Sequence, residues 1–121
     1  MTRPVLESSH VHPAALAQMS DYHRKLIAEV QGAVAANKVV VIGMGINPFP
    51  AKARKILDGL GTPYKYLSYG NYFSQWKPRL AIKLWSGWPT FPLVFVNGTL
   101  IGGASDLQKL IDSGEFARLA G

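Results

Sequence analysis

Apolar positions along the chain change their period several times, and each change marks a new element. In "YHRKLIAEVQGAVAA", Leu26, Ile27, Val30 and Val34 recur at helical spacing, the mark of a helix with one buried face. Ser20 followed by Asp21 offers this helix an N-cap and a first-turn acid, and Asn37 closes it. Val39 to Ile42 is a run of β-branched residues with no polar member, which predicts a strand buried on both faces. The loop "GINPFPAK" leads into a second helical stripe, Ala53, Ile56, Leu57 and Leu60, ended by Gly59 to Gly61. "PYKYLSY" then alternates as a second strand, with Tyr64, Tyr66 and Ser68 sharing one face.

"KPRLAIKLW" predicts a short helix with Pro78 in its first turn, where the missing N–H costs nothing. "LVFV", "NG" and "TLIGG" form a hairpin in which Asn97 and Gly98 supply the positive-φ turn. A last helix opens over Asp106 to Ile111. The order α-β-α-β-α-β-β-α predicts an α/β fold: a small mixed sheet flanked by helices on both faces.

Composition narrows the chemistry. The chain has 121 residues, 48% of them hydrophobic, enough for one domain with its own core. It contains no cysteine, which excludes disulfides, thiolate metal sites and a cysteine nucleophile from this chain. The formal charge of +6 favours anionic partners without naming one. Residues 1–19 lack the layout of a secretory signal and are expected to form a loosely ordered, flexible tail ahead of a domain at 20–121. The longest apolar stretch, Val39 to Ile46, is far short of a membrane helix, and a cytoplasmic location is the default expectation.

The order of elements and three local motifs resemble the glutaredoxin family of the thioredoxin fold. "SGWPTFPLVFVNGTLIGGASDLQKLIDSGEF", Ser86 to Phe116, is similar to that family's C-terminal half, with a proline-bearing "TFP", the hairpin and a "GG-x-S-D" turn. "WSGWPT" resembles the monothiol, iron–sulfur-linked branch, while the loop length between Val41 and Lys55 resembles the dithiol branch. The resemblance implies a four-stranded mixed sheet and a cis peptide at Pro92. By position it puts Asn47 where the family has its nucleophilic cysteine and Pro50 where dithiol members have the second, within the active-site stretch Asn47, Pro48, Phe49 and Pro50. Met44 takes the place of a lysine that contacts glutathione.

Thiol–disulfide exchange needs a thiolate, and an asparagine carboxamide is not a nucleophile at neutral pH. The resemblance therefore implies a redox-inactive variant, in which an iron–sulfur cluster is not expected because its protein ligand is gone. Glutathione or another extended peptide stays a candidate ligand. The groove would use Thr90, Phe91 and Pro92 for strand-like backbone pairing. Gly103, Ala104, Ser105 and Asp106 would hold a carboxylate and an amine, and Arg79 a second carboxylate. Two alternatives stand beside this reading: a glutathione-dependent oxidoreductase that borrows a ligand or partner thiol, and a protein-docking domain with an empty groove.

Each of these residues also has an ordinary explanation. Asn47 followed by Pro48 is a strong helix start, Ser105 and Asp106 suit a helix cap, and Arg79 suits a solvated surface charge. His10 and His12 make an H-x-H in the tail that is not read as a metal site, and His23 is expected at the surface of the first helix. "SYGNYFSQWKPRL", Ser68 to Leu80, combines Tyr69, Tyr72, Phe73 and Trp76 with two basic residues, and its aromatic segment 69–76 suits a protein-contact patch. A basic face without a recognised motif does not make it a nucleic-acid site. Trp85 and Trp88 are expected in the core or at the groove rim.

Overall fold

The computed structural model describes residues 4–45, 47–69 and 76–121, together with the backbone but not the side chain of Trp76. Helices α1 (Pro13–Asp21) and α2 (Arg24–Ala36) lead into strand β1 (Val39–Gly43), followed by α3 (Pro48–Leu60), β2 (Lys65–Ser68) and α4 (Trp76–Ser86). The hairpin β3 (Leu93–Val96) and β4 (Thr99–Gly102) and the helices α5 (Ala104–Asp112) and α6 (Glu115–Ala120) complete the chain. The sheet runs β2-β1-β3-β4. Its β1–β2 pair is parallel and its β1–β3 and β3–β4 pairs are antiparallel, the four-stranded mixed sheet that the sequence predicts.

Strand alternation divides the interior in two. Val39 and Val41 point to one face with Val94 and Val96, where Ala53 and Leu57 of α3, Leu107 of α5 and Phe116 of α6 pack on them. Val40 and Ile42 point to the other with Leu93 and Phe95, against Val30 of α2 and Ile82 of α4. A run of apolar residues without alternation is what two covered faces require.

Local stereochemistry sets the ends of the elements. Asn97 and Gly98 turn the hairpin at φ 48° and 81°, as the "NG" pair predicts, and the Asn97 amide also donates to the Leu119 carbonyl. Gly61 ends α3 in the left-handed region at φ 67°, a conformation open to glycine at little cost. At Gly43 the requirement is steric: a methyl built there would lie 2.6 Å from Cβ of Pro50 and 2.8 Å from the Tyr66 hydroxyl.

Two features differ from expectation, the N-cap at Ser20 and a sixth helix at the end of the chain. Ser20 is not an N-cap; it lies in the last turn of α1, where its hydroxyl donates to the Leu16 carbonyl at 3.0 Å. The break between α1 and α2 falls instead at His23, which adopts φ 48° and stacks edge-on to Tyr22. The segment expected as a loosely ordered tail carries a 3-10 turn, Ser8–His10, and α1 itself, whose first turn is capped by the His12 ring accepting from the Ala14 N–H. Helix α6 was not predicted, because six residues are too few to show a period. Among the described residues no helix is long and apolar enough to cross a membrane.

Gly43→Ala is expected to destabilise the protein by about 1–3 kcal/mol through overpacking. Urea unfolding measures it, and an unchanged midpoint would show that Pro50 and Tyr66 do not press on this position.

Candidate functional site

Strand pairing gathers the site at one end of the sheet. Ile42 is opposite Leu93, Gly43 beside Ser68, and Gly102 opposite Val94. The loop after β1, the Phe91–Pro92 turn before β3 and the start of α5 after β4 therefore share that end. Met44 and Phe91 belong to one apolar cluster with Trp88. A methyl built on Gly103 would approach the Pro92 carbonyl to 3.5 Å and Trp88 Nε1 to 4.0 Å. The Phe91–Pro92 peptide is cis.

At the start of α3, Asn47 Oδ1 accepts from the Phe49 N–H at 3.0 Å and Pro48 occupies the first helical position. The side chain is thus a helix cap in fact. The cap satisfies an N–H that the helix leaves without a partner. Pro50 is fully buried on Gly43, whereas Phe49 stays 59% exposed. Pro50, at the position where the resemblance implies a second thiol in dithiol proteins, is thus a core residue. Met44 is only 5% exposed and packs in an apolar cluster with Phe91 and Trp88.

The start of α5 is built differently. Gly103 has no side chain to cap with, and the Asp106 carboxylate reaches back to accept from the Gly103 N–H at 2.9 Å. Gly102 leaves the room this requires, since a methyl on it would collide with the Asp106 carboxylate. One oxygen of Asp106 is thereby engaged, and Ser105 is exposed in the first turn. Ala104 packs into the core beneath it. Thr90 is exposed and Phe91 buried; among the described residues neither takes part in a loop or turn backbone hydrogen bond.

Arg79 is not a surface charge. It is 7% exposed, and its Nη1 donates to the Tyr69 carbonyl at 3.0 Å. The Tyr69 N–H bonds the Gly43 carbonyl, and its hydroxyl donates to Glu29 of α2 at 3.4 Å. Tyr69 thus ties the exit of β2 to β1, α2 and α4. Burial, with the Glu29 charge adding to it, pushes its phenol up to about 12. Of the other aromatic residues of segment 69–76, Tyr72 and Phe73 lie outside the described residues, as does the Trp76 side chain.

Two residues near the site were not singled out as ligand groups from sequence. The Trp88 indole N–H is buried and has no partner among the described residues. Lys83 places its ammonium 5.6 Å from the Phe91 ring centre, within cation–π range. Its spacing of one helical turn from Arg79 was the available signal. The residues present do not fit an iron–sulfur cluster, because the sequence has no thiolate donor.

A parallel β1–β2 pair, an antiparallel hairpin and a proline turn facing a helix start define a thioredoxin-type scaffold of glutaredoxin form. A family model described as glutaredoxin matches residues 48–101. The chain is 48% identical over 96 residues to a glutaredoxin-like protein of Dictyostelium discoideum, covering 79% of this chain and 78% of that one. It is 32% identical over 95 residues to a probable monothiol glutaredoxin 2 of Rickettsia typhi, covering 74% and 83%. Among solved structures, wheat glutaredoxin matches with a TM-score of 0.68 and 29% identity over 78% of this chain and 90% of that one. A buckwheat glutaredoxin–glutathione complex matches in fold with a TM-score of 0.71 at 21% identity, over 83% and 91%. The chain belongs to the glutaredoxin family.

The raised phenol of Tyr69 has a pH consequence. The folded state holds the neutral form, so its contribution is present in full below the ordinary value near 10 and is lost as pH rises through about 12. Tyr69→Phe is expected to flatten the decline in unfolding free energy over that window relative to wild type. Parallel curves for the two proteins would show that the Glu29 contact and burial do not act on this group.

Proposed function

We propose that this protein is a glutaredoxin-fold binding module, taking glutathione or another extended peptide without itself performing thiol–disulfide exchange. The observation that carries the reading is the Phe91–Pro92 turn set against the start of α5, at the same end of the sheet as a helix start where Asn47 caps the backbone, in a chain that contains no thiol. The glutathione complex of the buckwheat protein supports the choice of ligand class.

In this reading the ligand backbone pairs with Phe91 in strand fashion, through groups that make no loop hydrogen bond among the described residues. Its γ-glutamyl carboxylate takes the N–H groups at the start of α5 and the Ser105 hydroxyl, where the helix dipole favours an anion. The Asp106 oxygen not engaged with Gly103 accepts from the α-amine. Arg79, buried behind Tyr69, supplies positive potential towards the glycine carboxylate. The Asn47 carboxamide can neither attack a disulfide sulfur nor leave as a thiolate, so a bound thiol is held and not exchanged. Loss of the lysine at Met44 removes one charge-assisted hydrogen bond, worth roughly 1.5–3 kcal/mol, which is about one to two decades of affinity.

Titration of glutathione followed by backbone amide shifts is expected to move Thr90, Phe91 and Gly103 to Asp106 at millimolar ligand. Silence at those residues would leave an empty groove, and turnover of a glutathionylated substrate above the uncatalysed rate would make the protein an enzyme after all. Asn47→Cys, incubated with glutathione disulfide, is expected to acquire a mixed disulfide by thiolate attack with release of one reduced glutathione, seen as the corresponding mass increase. Failure of a folded Asn47→Cys protein to do so would mean that ligand sulfur does not come to this helix start.

A further inference from the structure

The second candidate site lies on the far side of α2 and α4 from the sheet. Between α1, α2 and α4 runs a groove of about 820 Å³, within the range of small-molecule sites. Its origin is in the sequence: Ala15, Ala28 and Ala81 come from the three helices to its walls, and side chains this small leave volume that larger ones would fill. The rim is apolar, with Met19 at 60% exposure and Leu84 at 65%, and Trp85 standing half-exposed beside them. No residue of α1 is buried, although a nine-residue helix is marginal without packing of an apolar face. The groove is where that face has something to gain.

We propose that this groove binds a single-chain amphiphile with an anionic head. Size separates this occupant from a protein partner. Twelve described residues line the groove, against the roughly 20–30 per side that a stable protein–protein interface uses. Its concavity between three helices suits one chain and not the flat surface of a bilayer. Charge assigns the head: Arg24 is the only charged residue among the described lining residues. It sits at the mouth in a 3.5 Å pair with Asp21 in which both side chains are largely exposed. Such surface pairs contribute little and yield readily to a better placed anion. The chain's charge of +6 adds attraction for an anionic ligand and opposes a second copy of itself. The apolar body would lie along Ala28, Ala81, Leu84 and Trp85.

Decanoate below its micelle concentration tests this with the full chain. Binding is expected to be saturable at one site, to change the fluorescence of Trp85 (a signal lost in Trp85→Phe), and to shift amides of α1, α2 and α4 and not those of Phe91 or Ser105. Ala28→Phe, at an exposed position that fills the groove, is expected to weaken decanoate at least tenfold, with Ala15→Phe as an independent second variant if the first is misfolded by circular dichroism. Arg24→Gln is expected to weaken decanoate about tenfold and to leave 1-decanol unchanged. No saturable binding, or equal binding by folded groove-filled variants, overturns the proposal. Binding to phosphatidylglycerol vesicles without binding to monomeric decanoate also overturns it, by assigning the face to a membrane surface.

Discussion

The covering of β1 from both sides is the constraint on which the other features of the molecule depend. Four β-branched residues with no polar relief can be buried only if helices occupy both faces of the strand, and they do: α3, α5 and α6 on one side, α2 and α4 on the other. Once β1 is central, its partners follow, with β2 parallel on one edge and β3 antiparallel on the other. That pairing brings three connecting loops to a single end of the sheet. The site is a consequence of the core, in that its residues sit on short segments whose ends are pinned by fully buried neighbours.

At that end, three side chains are used for packing and capping. Asn47 spends its carbonyl oxygen on the Phe49 N–H, Pro50 fills the space left by Gly43, and Met44 joins the apolar cluster of Phe91 and Trp88. Each of these is a packing or capping contact that stabilises this end of the sheet. The start of α5 shows no such conversion. Asp106 braces the Gly102–Gly103 turn with one oxygen, and Ser105 faces solvent in the first turn. Packing groups thus occupy the start of α3, whereas polar groups mark the start of α5.

The two sites use the helices differently. In the groove end, helix starts present N–H groups; in the second groove, helix flanks present apolar carbon. Tyr69 and Arg79 lie between these regions, and their bonds to Gly43 and across to Glu29 lock the exit of β2 to both α2 and α4.

Strands, the hairpin turn and the helical stripes of α2, α3 and α5 were legible in the sequence, because period and turn chemistry act over a few neighbouring residues. The cap at Asn47 was legible for the same reason, as was the absence of a nucleophile. Position in space was not. Ser20 has the chemistry of an N-cap, but continuation of α1 through it gave its hydroxyl a carbonyl partner instead. Arg79 could be a surface cation or a ligand group on a local reading, and its burial, with a bond to the Tyr69 carbonyl, came from packing. Three alanines far apart in the chain mean nothing singly; α1, α2 and α4 had to meet before they became a groove. Local sequence determined which elements form and how they begin and end, and long-range packing decided which polar groups are buried and where space is left.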